Sequence, residues 1–402
     1  MHAGPRHSSL TLLILALSAT LAPVSMDMLT PSLAGMSLDL QASPRLIELS
    51  LYSFLVGYGV APSVWGHTSD RAGRRPVMFT GMLLYCISSS VCAFVDDAHV
   101  LVGIRFLQGL GAGAGATMAR AVVRDLYGAQ GTTKGMARMM SLMAIVPIFM
   151  PILGGLLAQW FGWQACFILM TAIGAFSVAA YFYLVPETRR APAAEINTGA
   201  ESVRQILLHP VFAQHTLCNM FSITTLVIFG ANFAFLTATA FDFNSSKNGL
   251  VLALFNASIA LGTQLVWLLM PRFQAHRSIV IGALACTVGW MYIGLMTLST
   301  STTVFAYAPG LIVAGSGAGV IMSLSAGAAL APFEYRTGLA SSLYLLVQSA
   351  GSSAISLTVG WMLPQDMLAV TLAMAACALL ALLSKCCVGS ANDNSAGQRP
   401  LP

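Results

Sequence analysis

Residues 50–92 read SLYSFLVGYGVAPSVW, then GHTSDRAGRRP, then VMFTGMLLYCISSSVC. Two apolar runs flank a short polar loop, and each run with its flanks can cross a hydrocarbon core, which takes about 20 residues of helix. The loop carries Gly66, Asp70, Arg71, Gly73, Arg74 and Arg75. Glycines permit a tight turn, Asp70 can cap a helix or pair with an arginine, and the arginines hold such a loop on the cytoplasmic face of a membrane.

The same alternation runs along the whole chain. Apolar runs centre near residues 22, 56, 86, 111, 150, 175, 224, 260, 289, 317, 351 and 377, separated by polar or Gly/Pro-rich loops. Of 402 residues, 57% are hydrophobic and 8% charged, with a mean hydropathy of +0.78. Lipid is the solvent for most of such a chain. The pattern predicts an all-α membrane protein of twelve transmembrane helices in two six-helix bundles. The expected parts are an N-terminal bundle over 1–185, a cytoplasmic linker over 186–209, a C-terminal bundle over 210–388 and a cytoplasmic tail over 389–402. Six spans on each side of one linker suit bundles related by an axis along the membrane normal. The run from Leu10 to about Leu33 is too long for a signal-peptide core and reads as a retained first helix.

An even number of spans puts both termini on one side, and the basic residues say which. Loops 71–75, 124–138, 189–204 and 272–277, with Arg336, hold most of the 19 Lys and Arg. Among the loops left outside, only Arg45 and Lys247 are basic, so both termini are expected in the cytoplasm. The net charge of +5 is spread through these loops rather than gathered in a patch, which argues against a nucleic-acid partner. Eight cysteines show no CxxC and no His/Cys ligand spacing, so they read as buried free thiols. No G-x-x-x-x-G-K loop and no nucleophile, base and orienter set stand out. Neither an enzyme nor a metal or nucleotide cofactor is implied. Energy would come from a proton gradient.

The stretch Gly66-His67-Thr68-Ser69-Asp70-Arg71-Ala72-Gly73-Arg74-Arg75-Pro76 resembles the signature loop of the major facilitator superfamily. Arg105-Phe106-Leu107-Gln108-Gly109-Leu110-Gly111 in the fourth run and Pro147-Ile148-Phe149-Met150-Pro151-Ile152-Leu153-Gly154-Gly155 in the fifth are similar to further motifs of that superfamily. The latter is associated with its antiporter branch. With Ala119-Arg120, Arg124-Asp125-Leu126-Tyr127 and Phe161-Gly162-Trp163 they look most like the bicyclomycin and chloramphenicol exporters among the drug:proton antiporters. The resemblance covers nearly all of the amino-terminal half. It implies the major facilitator fold and gating roles for Gly66, Asp70, Arg71, Gly73, Arg74, Arg75, Arg124, Pro147, Pro151, Gly154 and Gly155. His67-Thr68 departs from the subfamily pattern, and the loop Pro271–Arg277 keeps only a remnant of the repeated signature.

Asp27, in Met26-Asp27-Met28-Leu29-Thr30-Pro31, stands where this family has an aspartate before an apolar-proline stretch. That makes it the candidate for the coupling proton. Independently, a carboxylate amid apolar residues is costly when ionised and suits proton exchange, although it can also serve only to cap or bond a neighbouring helix. Glu48 opens the second span and is a second candidate titratable group, with a surface ion pair to Arg45, one turn away, as the competing reading. Arg105 is a charge inside a span, where it either faces a cavity or partner or bonds the fourth helix to the first. Gln108 joins it as a candidate cavity residue. In the carboxyl-terminal half the polar candidates are Asn219, Asn232, Asn256, Gln264, Tyr344 and Gln348, each able to line a cavity or to bond between helices. Gly315, Gly317 and Gly319 suit close helix packing.

The expected function is proton-coupled export of a small organic solute by alternating access, from a monomer in a bacterial inner membrane. Drug or antibiotic efflux leads, and export of an endogenous metabolite such as a siderophore is the alternative. A nutrient importer and a transport-dead sensor stand behind them. The partners are then a small-molecule substrate, protons and the lipid bilayer.

Overall fold

The computed structural model describes residues 5–143, 145–188, 200–299, 304–362 and 366–386. Residues 189–199 of the expected linker and the whole expected tail, 389–402, lie outside them. The helices are α1 (Pro5–Ala19), α2 (Leu21–Asp27), α3 (Leu33–Asp39), α4 (Pro44–Ala72), α5 (Arg74–Cys92), α6 (Ala98–Met143), α7 (Val146–Phe161), α8 (Gln164–Leu184), α9 (Ala200–Leu207), α10 (Pro210–Phe241), α11 (Ser245–Leu269), α12 (Ala275–Thr297), α13 (Ala308–Leu330), α14 (Thr337–Met362) and α15 (Met367–Cys386). Among the described residues ten spans are long and apolar enough to cross a bilayer, and an eleventh is a bent pair. With α5, whose 19 residues carry Arg74, Arg75 and a Ser88–Ser90 run that dilute its hydropathy, the twelve expected crossings are present.

Prolines mark where the first span breaks. An α-helical N–H donates to the carbonyl four residues back, and proline has none. The first span, expected as one helix, is broken and bent by 41°. α1 stops at Ala19, four residues before Pro23, and α2 stops at Asp27, four before Pro31. A short 3-10 turn, Thr30–Ser32, leads into α3. Where a loop was expected, over 124–138, α6 instead continues as helix. One crossing ends at Tyr127 and the next begins at Arg138. At the other end of α6, Asp97 Oδ1 accepts from the backbone N–H of His99 and Val100, which holds this carboxyl below its usual range.

The polarity of the fold is that of a protein in lipid. Ser25, Ser50, Ser89, Gln108 and Thr237 are fully buried, whereas Ile168, Phe176, Val288 and Met291 are more than half exposed. Trp160, Tyr183, Trp267 and Trp361 are strongly exposed near helix ends, where amphipathic rings suit the membrane–water interface.

The chain forms two compact units. The first takes in Met1–Asn197 with Val227–Ala257 and Leu345–Val370; the second takes in Thr198–Leu226, Ser258–Tyr344 and Thr371–Pro402. Inside the first, α6 packs on α4 and α5. A Cβ on Gly109 would strike the Phe54 backbone and one on Gly57 the Phe106 carbonyl, so glycine lets α4 and α6 meet backbone to backbone. Inside the second, α12 packs on α13. There Gly317 lies against the Gly282 carbonyl and the Cys286 backbone.

Candidate functional site

Asp27 occupies the broken end of α2, within the first unit. Its Oδ1 accepts from Asn256 Nδ2 of α11 at 3.2 Å, and the same amide nitrogen donates to the Pro147 carbonyl at 2.7 Å. Close by, the Thr30 hydroxyl donates to the Met26 carbonyl, and Ser25 shares a 2.8 Å hydrogen bond with the Tyr85 hydroxyl. Gly154 of α7 lies directly on the Met28 backbone, leaving no room for a Cβ. Asp27 is therefore gripped by α7 and α11 and remains only partly buried. Among the described residues its carboxylate accepts from the Asn256 amide alone, and a carboxylate amid apolar neighbours is costly when ionised.

Arg105 is fully buried on α6. Its Nη1 donates to Gln108 Oε1, its Nη2 lies 3.7 Å from Met26 Sδ, and its guanidinium sits over the Phe54 ring at 4.4 Å. Gln108 in turn donates to the Ser89 hydroxyl at 2.7 Å. Among the described residues Arg105 forms no ion pair with a carboxylate, and its Nε has no hydrogen-bond partner. The Met26 contact links the α6 span to the first span. The flat cation is stabilised between aromatic faces.

Glu48 corrects an expectation. It is 1% exposed, not at the surface with Arg45; its Oε2 accepts from the Tyr52 hydroxyl at 3.4 Å. A Cβ on Gly360 of α14 would come within 3.0 Å of that oxygen, and Ser353 of α14 donates to the Tyr52 carbonyl. The missing side chain at Gly360 leaves the space that the carboxylate fills.

Of the remaining polar candidates, Asn232 donates to the Ile228 carbonyl of its own helix. Gln348 is partly buried in the first unit. Asn219 and Tyr344 are buried in the second unit, the Tyr344 hydroxyl without a hydrogen-bond partner among the described residues.

The signature loop is tied down by the expected Asp70–arginine pair and by partners that the sequence reading missed. Arg74 pairs with Asp70 at 2.8 Å and with Asp125 of α6 at 3.4 Å. Glu187, just beyond α8, accepts from the backbone N–H of both Arg74 and Arg75, capping α5. Arg75 donates to the Phe182 carbonyl and lies over the Phe182 ring. Gly73 has φ of +100°, and a Cβ there would also meet Glu187 Oε2 at 2.8 Å. Only glycine fits both demands. Arg124 is exposed, and nothing lies within 4 Å of a Cβ on Gly66. In the second unit Lys385, buried at the end of α15, bonds the His215 ring at 2.9 Å. Pro186-Glu187-Thr188 directly after an apolar run was the available signal for Glu187.

The sequence profile described as Major Facilitator Superfamily matches residues 15–356. The chain belongs to the major facilitator superfamily. It is a multi-pass membrane transporter by that membership. Among its relatives, "Multidrug resistance protein MdtL" of Escherichia coli O157:H7 is 28% identical over 342 residues, covering 83% of this chain and 84% of the relative. The protein of the same name from Klebsiella pneumoniae (strain 342) is 28% identical over 335 residues, with the same coverage. Among solved structures, a partially occluded inward-open xylose transporter XylE from E. coli aligns with a TM-score of 0.76 at 14% identity, covering 94% of this chain and 97% of that one. A bacterial homologue of the human lysosomal transporter Spinster, inward-facing and unoccupied, aligns with a TM-score of 0.74 at 14% identity, covering 96% and 97%. At such identity these structures establish the fold alone.

Proposed function

We propose that this transporter is a proton-coupled exporter of small organic solutes, with drugs or antibiotics as its cargo, of the bicyclomycin/chloramphenicol exporter type. The observation that carries this reading is Asp27, a carboxylate on a broken helix, held by Asn256 of α11, whose amide also donates to the Pro147 carbonyl of α7. The 28% identity to multidrug resistance proteins supports the cargo class. Two six-helix halves, 1–185 and 210–388, joined by the 186–209 linker, rock about a midplane cavity. Both termini and the basic loops face the cytoplasm of a bacterial inner membrane, and a monomer suffices. Proton and solute act on one set of states, so that each favours the change that releases the other. A cavity poor in charge suits a moderately apolar solute, neutral or singly charged.

The test is pH-gradient-driven transport in everted vesicles with ethidium, chloramphenicol and a siderophore, for the wild type and Asp27→Asn. Movement of ethidium or chloramphenicol that needs the gradient and is lost in Asp27→Asn supports the reading. Movement of the siderophore alone would replace drugs by an endogenous metabolite. Transport unaffected by Asp27→Asn would remove Asp27 from coupling.

A further inference from the structure

The seam between α7 and α11 lies wholly within the first unit and is built as an antiparallel register of three steps. Gly155 faces the Ser245 carbonyl, and the Pro151 carbonyl faces Gly249; in both places a Cβ would collide with backbone. At the third step, Asn256 Nδ2 meets the Pro147 carbonyl. Residues 147, 151 and 155 share one face of α7 by their spacing of four, and 249 and 256 share one face of α11 by their spacing of seven.

The third step has a definite chemical origin. Residue 151 would normally donate its N–H to the Pro147 carbonyl, but Pro151 has no N–H to give. A carbonyl released in this way inside a bilayer must find another donor. Asn256 supplies it at 2.7 Å, and its amide has a second hydrogen, which goes to Asp27 Oδ1 at 3.2 Å. One primary amide thus spends both its hydrogens, one on the seam and one on the carboxylate. Among the described residues, Asp27 is the titratable group bonded to this amide; Arg105 donates to Gln108 and meets Met26 instead.

We propose that Asn256 is a positioning residue that latches the α7–α11 seam shut while Asp27 is ionised and unoccupied, and so prevents the empty carrier from switching. An antiporter must not change face with neither proton nor cargo aboard, since each such event is a leak. A hydrogen bond to an ionised carboxylate is about twice as strong as a neutral one. The ionised Asp27 therefore holds Asn256 in the position that satisfies the Pro147 carbonyl, and a proton on Asp27, or a solute taking up its oxygen, loosens that hold. The inference rests on Asp27 as the coupling carboxylate.

Spin labels on cysteines introduced at Trp160 of α7 and Leu250 of α11, both exposed, report the width of this seam in the full-length transporter. The native cysteines are replaced, and the only ligand varied is the proton, from pH 6 to 9. The wild type is expected to hold a closed seam at high pH and to gain an open population as pH falls. Asp27→Asn is expected to be flat with pH. Asn256→Leu strands the Pro147 carbonyl and can misfold, so the decisive variant is Asn256→Leu with Pro151→Ala. There the helix's own N–H satisfies the carbonyl, and only the tie to Asp27 is lost. Its open population at high pH is expected to rise about tenfold, the weight of one charge-assisted hydrogen bond, with the pH dependence gone. If Asp27→Asn is flat while the double variant keeps the wild-type response, the latch is overturned and Asp27 coupling survives. A pH response that persists in Asp27→Asn overturns the coupling reading and the latch with it.

Discussion

Replacing Gly154 by alanine adds one methyl group at the point where α7 lies on the broken end of α2. The new Cβ would fall 2.6 Å from the Met28 carbonyl carbon and 2.7 Å from its Cα, and closer still to its oxygen. All three are backbone atoms beside Asp27, so no rotamer can yield. Restoring ordinary carbon–carbon separations requires the two segments to part by about 1 Å. Overpacking of this kind costs roughly 1–3 kcal/mol, which lowers a melting temperature by about 1–4 °C for a chain of this size. Gly103→Ala is the control: it lies on a long helix with nothing within 4 Å of the added Cβ. Helix propensity alone makes that change neutral or favourable by up to ~1 kcal/mol. Thermal denaturation in detergent compares the two variants with the wild type, and gradient-driven transport on the same preparations reports whether displaced Met28 also displaces Asp27. Gly154→Ala is expected to melt several degrees below Gly103→Ala and to transport poorly. Equal melting of the two would refute the packing argument.

Glu187→Ala removes the acceptor that caps α5 at Arg74 and Arg75; because the group is exposed, a loss of about 1 kcal/mol is expected, read by thermal melting at low and high salt. Arg105→Lys keeps the charge but loses the planar fork over Phe54 and to Gln108, and a destabilisation of about 1–3 kcal/mol is expected in the same assay. His215→Leu takes away the ring nitrogens that meet Lys385 in the second unit and is expected to lower the melting temperature, whereas Lys385→Met, which removes the buried charge itself, is expected to be tolerated. A larger loss in Lys385→Met than in His215→Leu would reverse that account.

The twelve spans were legible because lipid-crossing helices announce themselves by length and hydropathy, and the arginine loop after α4 marked both a turn and a motif. The breaks at Ala19 and Asp27 were legible in principle, since Pro23 and Pro31 stand four residues on, but a hydropathy reading smooths over a missing hydrogen bond. The surface ion pair read for Glu48 looked one turn along the helix to Arg45, whereas the carboxylate is buried. It lies beside Gly360, more than 300 residues away in sequence. Asn256 was singled out only as polar. Its link to Asp27 depends on the carbonyl that Pro151 leaves free on another helix, a relation that no local pattern encodes. Glu187 was passed over for the same reason: capping at a distance joins the end of α8 to the start of α5.

The most direct test of the account is simultaneous measurement of solute and proton flux in proteoliposomes loaded with a pH-sensitive dye, using ethidium as the transported probe. The account predicts that ethidium movement in one direction is matched by proton movement in the other for the wild type, and that Asp27→Asn shows neither. Ethidium movement without proton counterflow, or coupled fluxes that persist in Asp27→Asn, would contradict it.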